Sequence, residues 1–118
     1  MAEESAGELI TGLTRVTLGG TELSGATVWA RPDYVDDQGY VTVLFQSQGR
    51  WWQPGMSAVL AIVRSSGRVH EIPVRVEHEV WHGEHERTAE LRLRIMGAEP
   101  WTQAEELLGA GPGSGRAE

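Results

Sequence analysis

The sequence contains no cysteine and no lysine among its 118 residues. The absence of cysteine excludes disulfides, thiolate nucleophiles and thiolate zinc sites. All ten cationic side chains are therefore arginine, which favours planar, two-point contacts with carboxylate or phosphate groups. No apolar run approaches the roughly 20 residues needed to cross a bilayer, and the acidic N-terminus does not resemble a signal peptide. We expect a cytoplasmic protein without a membrane span.

The net charge is −7 at neutral pH, which disfavours general binding to the phosphate backbone of nucleic acids. A hydrophobic content of 40% and a length of 118 residues are ordinary for one globular domain. We predict a flexible N-terminus over residues 1–8, a single domain over 9–108 and a glycine-rich flexible tail over 109–118. We expect no DNA or RNA partner and no cofactor.

Short β-type runs separated by turn residues fill the middle of the chain. Six of them are recognisable, at residues 13–18, 26–30, 40–45, 57–63, 69–81 and 87–96. The run at 57–63 is apolar at both parities, which predicts a strand covered on both faces. Residues 99–108 have proline near the start, glycine just after the end and apolar residues at helical spacing. The order predicts a mainly β domain, a small six-stranded antiparallel barrel or sandwich with one short C-terminal helix.

A five-residue segment starting at His78 reads HEVWH, which matches the H-E-x-x-H pattern of zinc metallopeptidases. Two ligands four residues apart lie about 5–6 Å apart on a helix but roughly 13 Å apart on a strand. Residues 72–82 alternate with a period of two, which predicts a strand with His78 on its half-buried face and makes the match accidental. The alternative is a small zinc hydrolase in which His78, His82 and His85 bind the metal and Glu79 activates water.

From Tyr34 to Leu108 the chain resembles a PilZ domain, the six-stranded barrel with which bacteria bind cyclic di-GMP. The resemblance lies in a proline–glycine pair followed by an apolar strand at residues 54–62, then two further strands and a closing helix. It implies a six-stranded barrel and a role in bacterial signalling as a binding module.

The two ligand motifs of that family are altered in this chain. The first is R-x-x-x-R; here Arg15 has Gly19 in the place of the second arginine. The second is (D/N)-x-S-x-x-G, of which residues 34–39 keep only the closing Gly39. Cyclic di-GMP carries two phosphates, so the loss of the paired arginines removes the strongest charge-assisted contacts. The altered motifs favour a partner protein, with a cyclic dinucleotide as the second choice.

Adjacent aromatic residues offer a contact surface. Trp51 and Trp52 point to opposite sides of an extended backbone, and with Arg50 they form an amphipathic tip of the kind enriched at interfaces. Arg15 and Arg31 are the candidates for holding an anionic group. We predict a non-enzymatic binding module that uses these five residues. A further alternative is a structural subunit of an oligomeric assembly.

Overall fold

The computed structural model describes residues 7–46, 52–82 and 88–109. All strand pairs in these ranges are antiparallel and form a single sheet with the order β1-β4-β5-β8-β7-β6-β2-β3. The elements are β1 Glu8–Ile10, β2 Leu13–Leu18, β3 Thr21–Glu22, β4 Ser24–Asp33, β5 Gln38–Gln46, β6 Ser57–Arg64, β7 Val69–His82, β8 Thr88–Ile95 and α1 Pro100–Gly109. The predicted class, mainly β with one short C-terminal helix, is confirmed.

The sheet has eight strands instead of six, and it is not closed. Its edges are β1 and β3, and no ladder joins them in the ranges that the structure describes. These are the two additional strands, with three and two residues. Strands this short contain too few residues to show alternation, so their sequences gave no signal. β1 also begins at Glu8, inside the segment predicted to be flexible.

One face of the sheet forms the core. Alternate residues of β5, β6 and β8 are buried on this face, and full burial of a valine, leucine or isoleucine side chain contributes about 1.5–3 kcal/mol. The helix α1 covers this face with Ala104 and Leu107, both without solvent exposure, and packs mainly on β4 and β5. The helix thus places its C-terminal turn beside the end of β4. None of the described helical residues forms a segment long and apolar enough to span a membrane.

The prediction that β6 is covered on both faces is wrong for the described chain. Leu60 and Ile62 are fully buried, whereas Val59 on the opposite face is 50% exposed. β6 lies between β7 and β2, and the helix packs on the core face only. An apolar residue on the outer face of a strand cannot be distinguished from a core residue by composition alone.

Gly39 on β5 lies directly against the start of α1. A Cβ atom added there would lie 2.8 Å from the carbonyl carbon of Pro100 and still closer to its oxygen, with Ile95 Cδ1 at 3.2 Å. No larger residue fits unless the helix backbone moves. Gly39, the closing glycine of residues 34–39, is therefore a position where β5 packs closely against the start of α1.

The other end of α1 is held by a buried arginine. Arg64, the last residue of β6, donates from Nη1 to the carbonyl oxygen of Leu107 at 3.0 Å. This bond satisfies one of the carbonyl groups left without a partner at a helix C-terminus. His70 is also buried, and burial, followed by the charges of Arg68 and Arg64, lowers its pKa. Arg64 thus joins the sheet to the end of the helix.

Candidate functional site

The segment containing the H-E-x-x-H match is a strand. β7 runs from Val69 to His82, so His78 and His82 are four positions apart on an extended strand, roughly 13 Å. The helical arrangement of a zinc peptidase is therefore excluded. His85 and the side chain of His82 lie outside the described residues. Within the described ranges no three His, Asp or Glu side chains form a cluster suited to a metal ion.

A β-bulge changes the orientation of side chains along β7. The register with β8 shifts between Val76 and His78. Val76 is buried before the bulge, but beyond it Glu79 and Trp81 lie opposite buried residues of β8, and Trp81 packs against the core. His78 is therefore exposed, and the prediction that it shares the half-buried face with the valines is wrong. One extra residue in a strand reverses the face to which every later side chain points. The alternation of residue types in the sequence does not reveal it.

The predicted tryptophan tip is only partly described. Trp52 is 3% exposed and belongs to the core, and its backbone NH donates to Glu79 Oε2 at 3.4 Å. Its side chain therefore packs inward, as expected for one of two adjacent residues on an extended backbone. Arg50 and Trp51 lie outside the described residues, so their role as contact residues stays a prediction.

The two arginines predicted to hold an anion lie in different places. Arg15 on β2 has its Nε atom 3.8 Å from Glu22 Oε1, and both side chains are well exposed, so the pair contributes little to stability. It borders a small cavity of about 210 Å³ between β2 and β4. Arg31 on β4 lies instead over the ring of Tyr40, with its guanidinium carbon 4.5 Å from the ring centroid.

Arg31 also lines a second and larger cavity, which we call the β4–α1 cavity. It lies between the N-terminal strand, the end of β4 and the last turns of α1, and its volume is about 730 Å³. The lining residues combine apolar walls with a few polar groups: Gly7, Glu8, Ala30, Arg31, Pro32, Tyr34, Glu105, Leu108 and Gly109. Mixed walls of this kind are typical of binding sites.

A hydrogen bond links the two sides of the β4–α1 cavity. The hydroxyl of Tyr34, in the turn after β4, donates to Oε2 of Glu105 on α1. This bond, with smaller contributions from desolvation and from the charges of Glu105 and Glu8, raises the pKa of Tyr34 above its ordinary value. The turn is itself held by Asp33, whose Oδ1 accepts from two backbone NH groups at 3.1 and 3.2 Å. The polar rim of the cavity is therefore held by the hydrogen bonds of Asp33 within the turn and by the Tyr34–Glu105 hydrogen bond between turn and helix.

The charge and apolar character of the cavity define what it can bind. Arg31 is the single arginine among the lining residues, and Glu8 and Glu105 are the acidic ones; the Arg31 guanidinium group itself lies over the Tyr40 ring. Val35, which follows the lining residue Tyr34, is a large apolar residue that is 90% exposed. Sequence reasoning identified Arg31 but missed the contribution of α1, because nothing in the local pattern indicates that Tyr34 meets Glu105 across 71 positions.

Comparison with family models, with curated proteins and with solved structures finds no match to this chain.

Proposed function

We propose that this chain is a non-enzymatic, PilZ-like binding module that takes a segment of a partner protein into the β4–α1 cavity. The observation that carries the proposal is the cavity itself, in which apolar walls surround a small number of fixed polar groups. Its volume of about 730 Å³ is within the range of roughly 300–1,000 Å³ typical of ligand sites.

The cavity chemistry favours a polypeptide over a cyclic dinucleotide. A ligand with two phosphates would meet the carboxylates of Glu8 and Glu105 with only Arg31 to compensate. Like charges in a partly desolvated site oppose binding. A polypeptide offers apolar side chains for Pro32 and Leu108 and backbone amides for the carboxylates. The exposed apolar side chain of Val35, which follows Tyr34 in the turn, also suits a protein interface.

Site-specific photocrosslinking tests the proposal. A photoreactive phenylalanine analogue replaces Tyr34 in one variant and Val80 in the other, since Val80 is an exposed apolar residue on β7 that does not line the cavity. We expect a discrete protein adduct in cells at position 34 and its loss when unlabelled chain is added in excess. Equal labelling at both positions would contradict a role for the cavity.

Titration with cyclic di-GMP and related nucleotides, followed by tryptophan fluorescence, separates the two ligand classes. We expect no saturable change with the wild-type chain. A saturable fluorescence change that is weakened in Arg31→Gln but retained in Arg68→Gln would show that the cavity binds a nucleotide, and the proposal of a protein partner would be wrong. Arg68 is a suitable control because it is exposed and does not line the cavity.

A further inference from the structure

Four strands bring three arginines into one row on the outer face of the sheet. Arg31 of β4 pairs with Tyr40 of β5, Tyr40 pairs with Arg94 of β8, and Arg94 pairs with Arg75 of β7. Residues paired in this way project from the same face of the sheet. Because neighbouring strands are about 4.8 Å apart, the row is about 14 Å long.

The adjacent row of paired residues also contains an arginine and an aromatic residue. Trp29 of β4 pairs with Thr42, Thr42 with Arg92, and Arg92 with His78. Arg92 and Arg94 are two residues apart on β8, which places them about 6.8 Å apart along the strand. We call this surface the arginine face and define it by Trp29, Arg31, Tyr40, Arg75, Arg92 and Arg94.

The arginine face has a charge opposite to that of the whole protein. Of the ten arginines, four lie on it, and two carboxylates accompany them: Glu77 Oε2 is 3.3 Å from Arg94 Nε, and Glu90 Oε2 is 3.5 Å from Arg92 Nε. Arg31 and Arg75 have no carboxylate within ion-pair distance among the residues that the structure describes. The two rows therefore carry two arginines without an ion-pair partner in the described ranges, on a chain with a net charge of −7.

The pairing of Arg94 with Arg75 carries an energetic cost. Side chains directly opposite each other on neighbouring strands have Cβ atoms about 4.5–5.5 Å apart, and like charges at such positions destabilise a sheet. Glu77 offsets only part of this repulsion. An anion placed between the two guanidinium groups would relieve the rest, so the pair favours binding of a negatively charged group.

The aromatic residues hold part of the arginine face in position. The Arg31 guanidinium carbon lies 4.5 Å from the Tyr40 ring centroid, a contact that restricts the rotamers of a long side chain. A guanidinium group that is already ordered loses less conformational entropy on binding. Trp29 and Tyr40 are half-buried, so they offer flat apolar surface between the charges.

We propose that the arginine face binds a short acidic segment of a partner protein in an extended conformation. This site goes beyond the proposed function, because its central pair, Arg94 and Arg75, does not line the β4–α1 cavity. Alternate carboxylates of an extended segment repeat at about 6.8 Å, the spacing of Arg92 and Arg94. Arginine binds carboxylates through paired NH donors.

The overall charge selects a short acidic segment over a nucleic acid. A nucleic acid carries phosphates along its whole length and would extend beyond the face onto a chain with a net charge of −7. A short peptide places its few carboxylates on the arginines alone. The contacts of Glu77 and Glu90 with Arg94 and Arg92 also demonstrate that carboxylates fit these side chains.

Fluorescence anisotropy with labelled hexaglutamate tests this proposal, with hexaglutamine as the neutral probe. We expect wild type to bind only hexaglutamate, and more weakly as salt screens the charges. Arg75→Gln should weaken binding about two- to fivefold. Arg68→Gln, which removes the same charge from the exposed hairpin after β6, should leave binding within about twofold. If Arg75→Gln and Arg68→Gln weaken hexaglutamate binding equally, the arginine face is not the binding site.

A second pair of variants gives an effect of opposite sign. Glu77→Gln removes the carboxylate beside Arg94 and should tighten hexaglutamate binding about two- to fivefold. Glu71→Gln changes the net charge equally but lies away from the two rows, and should have a smaller effect. Impaired folding cannot produce tighter binding, so the comparison remains valid if Arg75→Gln is unstable. No gain in Glu77→Gln, or tighter binding of oligothymidylate than of hexaglutamate, would refute the proposal.

Discussion

Gly39→Ala should displace α1 and destabilise the domain, although alanine is generally better tolerated than glycine in regular structure. The added Cβ atom would lie 2.8 Å from the carbonyl carbon of Pro100, a separation that real Cβ atoms essentially never show. The obstructing atoms belong to the helix backbone and cannot rotate away. Bringing the carbonyl carbon alone to an ordinary contact of about 3.4 Å requires a shift of about 0.6 Å at the start of α1, and the closer oxygen requires a larger one.

The size of the effect follows from two opposing contributions. Overpacking a core contact typically costs about 1–3 kcal/mol. The backbone at Gly39 does not have the positive φ that alanine avoids, so the substitution also gains about 0.4–1 kcal/mol by restricting the unfolded chain. We therefore expect a net loss of about 1–2 kcal/mol in the free energy of unfolding, and a melting temperature several degrees lower.

Urea denaturation followed by circular dichroism measures this loss, and Gly20 supplies the control. Gly20 has a φ of 84° and no atom within 4 Å of an added Cβ, so substitution there is opposed by backbone strain alone. Asparagine tolerates this left-handed conformation, so Gly20→Asn should cost less than Gly20→Ala. At Gly39 the order should reverse, because asparagine is larger. A Gly39→Ala variant as stable as wild type, or Gly39→Asn no worse than Gly39→Ala, would refute the packing of α1 against β5.

Two further predictions concern buried side chains, one on the sheet and one on α1. His70→Gln should remove a pH dependence: burial lowers the folded-state pKa of His70, so its contribution to stability is present above its ordinary value of about 6.5 and is lost as the pH falls through the folded-state value. Urea midpoints at pH 5 and pH 7.5 should differ less in the variant than in wild type, and an unchanged difference would contradict this. Leu107→Ala should lower the free energy of unfolding by about 2–5 kcal/mol, because Leu107 is fully buried. Val59→Ala, at a half-exposed position on the outer face, should cost far less in the same assay, and similar losses would show that α1 does not cover the core.

The long strands were predictable from sequence because each carries enough alternating residues to establish a period. β7 shows this best: its valines and isoleucine alternate with charged residues, which was sufficient to reject a helical zinc site. The same pattern failed after Val76, where the bulge reverses the orientation of His78 and Trp81. A bulge depends on pairing with β8, and that pairing is not encoded in the local order of residues.

The sites were less predictable than the strands, because they depend on contacts between distant parts of the chain. Arg31 was identified by residue type alone, but its neighbours Glu105 and Leu108 come from a helix more than 70 positions later. The arginine face depends on the register of three ladders, and a shift of one residue in the β7–β8 ladder alone would separate Arg94 from Arg75. The composition of the sequence shows that every lysine or arginine position is an arginine. It does not show that four of these arginines lie on one face of the sheet.

The shortness of β1 and β3 has a consequence for how this protein behaves at high concentration. An unclosed sheet exposes backbone donors and acceptors that can recruit another chain, and β1 and β3, with three and two residues, each contribute only a few of them. Register irregularities in β2 and β4, the strands next to those edges, further interrupt any regular template for stacking. Lengthening β1 or β3 by a few valines should therefore increase the tendency of the chain to form fibrils.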